Sequence, residues 1–172
     1  SSALGAVIMP RTSNLIAEER MDEFKALVQK SYDFIFALAM PLMVGLIFTS
    51  PSAVLLLSGE GFVPAILTSQ IVAFNILTVG LSGVMGIQVL YPLGKINIVI
   101  LCTSIGAIIN VFLNVLLIPR YGHNGTAVAY MLAEMTVTVS MFFIGKRYIP
   151  IRFLKRQHLN YVLGSVVMGV CL

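Results

Sequence analysis

The chain has 172 residues, 58% of them hydrophobic and 10% charged, and its mean hydropathy is +0.97. Soluble domains are about half apolar and about a quarter charged, so this composition excludes a water-soluble globule and points to an integral membrane protein. The net charge of +4 would suit nucleic acid only if the cations formed one patch, and they are spread between apolar runs instead.

Residues Ser1 to Met9 read as the last turns of a preceding span. The chain opens on Ser-Ser-Ala, without a signal-peptide pattern, and ends inside an apolar run. It is therefore expected to be a piece of a longer polytopic protein. The segment Asn14 to Lys30 places Ala17, Met21, Phe24 and Val28 at helical spacing between charges, with Ser13 or Asn14 able to cap its start. This pattern predicts an amphipathic helix on the cytoplasmic face, seated in the headgroups as a connector or serving as a lever or partner-docking helix.

Apolar runs then follow at about 34–57, 62–90, 96–118 and 125–144, with a fifth from about residue 159. A bilayer core of about 30 Å needs about 20 helical residues, so the first four are full spans. The runs are continuous rather than alternating, and hydrocarbon demands an internally hydrogen-bonded backbone. The fold class is thus an all-α polytopic transmembrane bundle. Arg11, Arg20, Lys25 and Lys30 fall in the first loop, Lys95 in the third, and Lys146, Arg147, Arg152, Lys155 and Arg156 in the fifth. Only Arg120 lies in the even loops. The basic loops are cytoplasmic by the Lys/Arg rule, which places the chain as a multi-pass protein of the inner (cytoplasmic) membrane. The basic pI is then a topology signal, and no nucleic-acid partner is expected.

Within the first span, Pro41 and Gly45 are candidate hinge residues or a fixed kink, and Pro51 lies nearer the outer end. In the second span Gly80, Gly83 and Gly86 recur every third residue. They suit close helix packing or a locally unwound substrate site. Gln70, Asn75 and Gln88 of the same span either face a cavity or bond to a neighbouring helix. Cys102 and Cys171 sit inside apolar runs and read as inert thiols.

Glu134 is the one acidic residue deep in a span. A central charge costs about 2.5 to 3.5 kcal/mol on insertion scales, while each Leu, Ile, Phe or Val of that helix returns about 0.3 to 0.6. Insertion is therefore feasible, with Glu134 facing protein or a wet cavity. An antiparallel hairpin turning near Tyr121 and Gly122 would put residues whose numbers sum to about 243 at one depth. Glu134 is then level with Asn110, and Asn114 lies one turn further out on the same face. Glu134, Asn110 and Asn114 are candidate cavity or ion-coupling residues, or else a polar pin between two helices. In the turn itself Pro119 is expected to end one helix, Gly122 and Gly125 to permit the reversal, and Asn124 to cap the next. Arg120 and His123 are candidates for outer-loop contact with an anionic group. His158 groups with the cytoplasmic cations. The chain has no metal-ligand spacing, no nucleophile with its base and no phosphate-binding glycine loop, so neither an enzyme nor a cofactor is expected.

Several motifs carry a family resemblance. "VIMPRTSNLIAEERMDEF" (Val7 to Phe24) resembles the Pro-Arg-Leu-Ser segment and charged helix of the polysaccharide (lipid-linked oligosaccharide, O-antigen type) flippases, with Thr12 in place of the usual Leu. These belong to the multidrug/oligosaccharidyl-lipid/polysaccharide exporter superfamily. "PLMVGLIFTSPSAVLLLSGEGFVPA" (Pro41 to Ala65) is similar to their Pro-containing span and Gly-plus-aromatic loop, and "LYPLGK" (Leu90 to Lys95) to their short cytoplasmic turn. "INVFLNVLLIPRYGHNGTAVAY" (Ile109 to Tyr130) resembles their Asn-x-x-Leu-Asn, Leu-Ile-Pro and Gly-x-x-Gly-Ala stretch, with Thr126 where Ala is usual.

The resemblance covers nearly the whole chain. It implies most of the C-terminal lobe of a fold of twelve to fourteen helices around a central cavity. The implied activity is alternating-access movement of a lipid-linked glycan from the cytoplasmic to the outer leaflet. The implied partners are the bilayer, the glycan lipid, H+ or Na+ as a coupling ion, and polysaccharide assembly proteins. No Lys or Arg lies deep in a full span, so cations that hold a pyrophosphate would come from the missing half. The rival readings are a multidrug/cation antiporter of the same superfamily, with Glu134 as coupling carboxylate, and a membrane glycan-assembly enzyme or scaffold.

Overall fold

The computed structural model describes residues 2–149 and 156–171. The described residues form α1 (Ser2–Ala17), α2 (Met21–Ser58), a single 3-10 turn (Glu60–Phe62), α3 (Ala65–Gly83) continued by a π-helical segment (Val84–Leu90), α4 (Ile96–Gly145) and α5 (Arg156–Cys171). Three of these stretches, Met21–Ser58, Ala65–Leu90 and Ile96–Gly145, are long and apolar enough to cross a membrane. The fold is an all-α polytopic bundle.

Helix α4 crosses twice. Its 50 residues would reach about 75 Å if straight, more than twice a bilayer core. Gly122 breaks it with φ 55° and ψ −132°, a left-handed backbone that glycine adopts without a Cβ clash. A Cβ on Gly106 would collide with Val137 Cγ2, and one on Gly125 would stand 2.6 Å from the Leu117 carbonyl oxygen. The two arms, 96–121 and 123–145, therefore lie back to back, in the register expected from a turn at Gly122. The reversal is tighter than expected. Helical hydrogen bonding persists through Pro119 to Tyr121 and resumes at His123. Asn124 makes no capping bond among the described residues; its Oδ1 accepts from Thr68 Oγ1 of α3 at 2.6 Å.

The expected amphipathic helix over residues 14–30 does not exist as one element. Residues 14–17 finish α1, Glu18–Arg20 form a turn, and residues 21–30 open α2. Glu19 carries the turn at φ 58°, and Arg20 pairs with Glu18 (2.9 Å) and Glu23 (2.6 Å) across it. Of the expected stripe, Phe24 and Val28 are used for packing, Met21 is half-buried and Ala17 is exposed. Phe24 and Val28 are fully buried and cluster with Leu15 of α1, Val84, Met85, Val89 and Leu90 of the π segment, and Ile149. Helix α2 has 38 residues, and Asp22, Glu23, Lys25, Lys30 and Asp33 confine its apolar part to the stretch after Asp33.

The bundle has two chemically distinct ends. At one, the hairpin tip meets the start of α3, through Thr68–Asn124 and through His123 Nε2 at 3.3 Å from the Pro64 carbonyl oxygen. At the other, Lys95 lies over the Tyr148 ring at 5.8 Å and Lys146 over Phe143 at 4.5 Å. The basic loops thus share one end, as the charge count requires, and the buried core concentrates near it. Arg152 and Lys155 fall outside the described residues, and the side chains of Arg156 and Cys171 are likewise outside them.

Candidate functional site

The second span is not a plain α-helix. At Val84 its hydrogen bonding widens to a π-helix of seven residues, closed by Tyr91 N–H to Gly86 O at 2.9 Å. Such segments insert extra residues per turn and redirect the side chains beyond them. The three-residue glycine stripe is split by this geometry. Gly80 abuts α2, where a Cβ would stand 2.8 Å from Ile35 Cγ2, whereas Gly86 faces Met141 and Val99 on the two arms of α4. Gly83 and Gly86 open onto a cavity.

That cavity, about 640 Å³, lies between the α3–π segment and both arms of α4, and Ser82, Tyr91, Thr103, Asn110, Tyr130 and Glu134 supply the polar side chains of a largely apolar lining. The pairing of Asn110 with Glu134 at one depth is therefore realised, on facing arms. They are not bonded to each other. Asn114 Nδ2 donates to the Asn110 carbonyl (2.9 Å) and to Asn110 Oδ1 (2.8 Å), so Asn110's side-chain partner is its neighbour one turn along. Asn114 itself borders a separate shallow pocket with Val115 and Pro119. The Glu134 carboxyl has no hydrogen-bond or ion-pair partner among the described residues, and it faces the cavity. Its helix is held to α3 by Thr138, whose Oγ1 donates to the Thr78 carbonyl at 3.0 Å.

The remaining polar candidates have separate fates. Gln70 Nε2 donates to the Ile47 carbonyl of α2 at 3.1 Å, and Ser50 Oγ donates to the same oxygen at 2.9 Å. Ile47 is the residue whose helical donor would be the N–H of Pro51, which proline lacks. Gln70 thus satisfies the carbonyl that Pro51 leaves without its helical donor, and it stands clear of the Glu134 cavity. Gln88 is buried in the π segment at 1% exposure, with Oε1 unpaired among the described residues. Asn75 is 5% exposed and borders a second cavity, on the α2 side of Tyr130. Pro41 and Gly45 lie inside unbroken α2. Arg120 and His123 are exposed at the hairpin tip, with His123 turned to Pro64.

One polar cluster escaped the sequence reading. His158 does not stand among the cations; it is 1% exposed. Its Nε2 is 3.1 Å from Asp33 Oδ1, which also accepts from Gln29 Nε2 at 2.7 Å. Its ring packs against Phe36 (4.6 Å), Tyr32 (5.7 Å) and Tyr161 (6.3 Å). The cluster ties α5 to α2. The only trace in the sequence is local: Gln29, Asp33 and Phe36 share one helix face, as do His158 and Tyr161. Nothing in it links residue 33 to residue 158.

An all-α bundle of long apolar helices that border an open, largely apolar cavity with Glu134 and Asn110 in its wall has the architecture of a multi-pass membrane protein. The model of the lipid II flippase MurJ family matches residues 1–172, and the chain belongs to that family. The family is one of flippases rather than enzymes, and its members are multi-pass inner-membrane proteins. The chain is also 22% identical over 164 residues to an uncharacterized membrane protein of Methanocaldococcus jannaschii. That alignment covers 95% of this chain and 32% of the relative, so the chain spans about a third of the relative's length. No solved structure matches it.

Proposed function

We propose that the full-length protein carries a polyprenyl-diphosphate-linked saccharide precursor across the cytoplasmic membrane by alternating access, with this chain forming most of one lobe. The observation that carries the reading is the family match over every residue. It favours the lipid II class of cargo, the peptidoglycan precursor. A polysaccharide repeat unit on the same kind of lipid is the second reading, supported by the Ile109–Tyr130 motif. Both cargoes are long amphiphiles with an anionic diphosphate.

The cavity would serve as part of the path, with Glu134 and Asn110 facing the polar portion of the cargo or a coupling H+ or Na+. Within α2, Pro41 and Gly45 would act as the hinge. Proline 41 leaves the Ala37 carbonyl without its helical donor, and Gly45 meets Met168 of α5 only at ordinary contact distance, 3.6 Å from an added Cβ. A drug or cation antiporter would use the same carboxyl with a smaller cationic cargo.

The test is leaflet translocation in vesicles that contain the full-length protein. Labelled lipid II and a labelled lipid-linked polysaccharide unit are supplied separately, with an organic cation as the third arm. Faster flipping of lipid II than in empty vesicles is the expected result. Faster flipping of the polysaccharide lipid alone would select the second cargo. Movement of the cation alone would replace the flippase reading with the antiporter.

A further inference from the structure

The inner half of the second span changes helical type where glycine is frequent. Gly80 and Gly83 precede the π residues Val84–Leu90, and Gly86 lies among them. Two backbone bonds show the widening. Tyr91 N–H donates to Gly86 O at 2.9 Å and Lys95 N–H to Leu90 O at 2.8 Å, each across five residues instead of four. Such turns hold a residue in excess of α-helical register. The chain is fixed on both sides of them. Outward, Thr68, Gln70 and the Thr78 carbonyl bond α3 to α4 and α2; inward, the turn after Leu90 leads directly into α4. The surplus residue therefore stays within the span, and the freedom left is where along it the wide turns lie.

Their present position leaves one group unmet. Gln88 is buried in the π segment, and its Oε1 has no hydrogen-bond partner among the described residues. A buried acceptor left unmade is costly, and the adjacent Met85, Val89 and Leu90, packed in the apolar core, offer no side-chain donor. Ile87 alone of the seven π residues is not buried. It stands with Gly83 and Gly86 on the wall of the cavity that holds Ser82 and Glu134. An apolar side chain thus borders the cavity while the amide next to it is turned into the core. Space remains in front of Gly86, where an added Cβ would stand 3.7 Å from Met141 Sδ and 3.9 Å from Val99 Cγ1, both ordinary contacts.

We infer that the π segment is a sliding register switch in the cavity wall. When the wide turns move outward into Gly80–Gly86, each residue they pass falls back toward the place of the residue before it, by up to about 100°. Ile87 then takes the place of Gly86, in the space before Met141 and Val99, and Gln88 takes that of Ile87. Val89 and Leu90 lie inward of the moved turns and keep their places in the core. Three of the seven residues in Gly80–Gly86 are glycine, so the move displaces few side chains. The exchange fills the cavity beside Gly86 and brings the Gln88 amide to its wall. Its use as a gate rests on the cavity being part of the cargo path; the exchange itself is tested without cargo.

The experiment uses the full-length protein in membranes, with its native cysteines replaced by alanine. Ile87→Cys, Gln88→Cys and Val89→Cys are made singly and reacted with N-ethylmaleimide. Gln88 and Val89 are equally buried, at 1% and 0% exposure, so a static segment protects both thiols alike. The switch is expected to make Gln88→Cys react at least tenfold faster than Val89→Cys, at a rate approaching that of Ile87→Cys. Equal rates at 88 and 89 overturn it: both slow means a fixed segment, and both fast means local unfolding. Amide hydrogen exchange on the unmodified full-length protein is the second measurement, because sliding breaks and remakes the bonds of the wide turns. Exchange over residues 84–91 is expected to be at least tenfold faster than over residues 99–106 of α4. Protection equal to that of α4 overturns the switch.

Discussion

Gln70 and Glu134 show how a single polar side chain in a span is assigned its role by what stands opposite. Pro51 withholds one N–H, and Gln70 of the next helix supplies a donor to the carbonyl left behind. Gln70→Leu should therefore cost about 1 kcal/mol, read as a lower Tm, while translocation by the surviving protein stays near wild type. Glu134 has no such duty among the described residues, and it faces the cavity. Glu134→Gln keeps the shape and removes the charge. It should leave expression intact, reduce translocation by about tenfold or more, and flatten its pH dependence if the carboxyl carries the coupling proton. Wild-type rates at every pH would leave Glu134 a structural role only. Both residues were visible as polar interruptions in apolar runs. Which one clamps and which one faces a cavity depends on Pro51 and on Asn110, residues 19 and 24 positions away.

The α4 hairpin is the element on which the cavity depends, because Asn110 and Glu134 face each other only when its arms close. Closure requires Gly106 beneath Val137, where no Cβ fits. Gly106→Val should cost about 1 to 3 kcal/mol by overpacking and reduce the yield of folded protein. Val137→Ala in the same chain should restore part of it, because the two side chains compete for one space. Full expression of Gly106→Val with unchanged Tm would show that the arms do not touch there. The hairpin, its turn at Gly122 and its register were legible because span length and glycine placement are local properties. The π-helical segment was not. Its seven residues read as ordinary apolar helix, and nothing local marks the wider turns, whose Val84, Met85, Val89 and Leu90 are buried in the core shared with α1, α2 and α4. The amphipathic stripe from Ala17 to Val28 misled for a related reason. Periodicity shows that a face is apolar, and burial against α1 or against headgroups satisfies it equally.

At the scale of the whole molecule, the division of charge orients the bundle. Lys95, Lys146 and Tyr148 meet at one end, and Pro64, His123 and Asn124 at the other. Lys146→Cys in the full-length protein should react with an impermeant thiol reagent only from the cytoplasmic side, and Tyr121→Cys only from outside. The reverse pattern would invert the topology and with it the direction of any transport. Composition, span lengths, charge asymmetry and the one deep carboxyl were determined by the sequence alone, since each follows from transfer free energy and helical rise, which act residue by residue. Only the tertiary structure decided that Gln70 bonds the carbonyl freed by Pro51 and that His158 is buried against Asp33. It also placed Asn75 and Glu134 on opposite sides of Tyr130. Those outcomes depend on which helix faces which, and in hydrocarbon that choice is made by close packing and hydrogen-bond satisfaction between distant segments, a property no single stretch of chain contains.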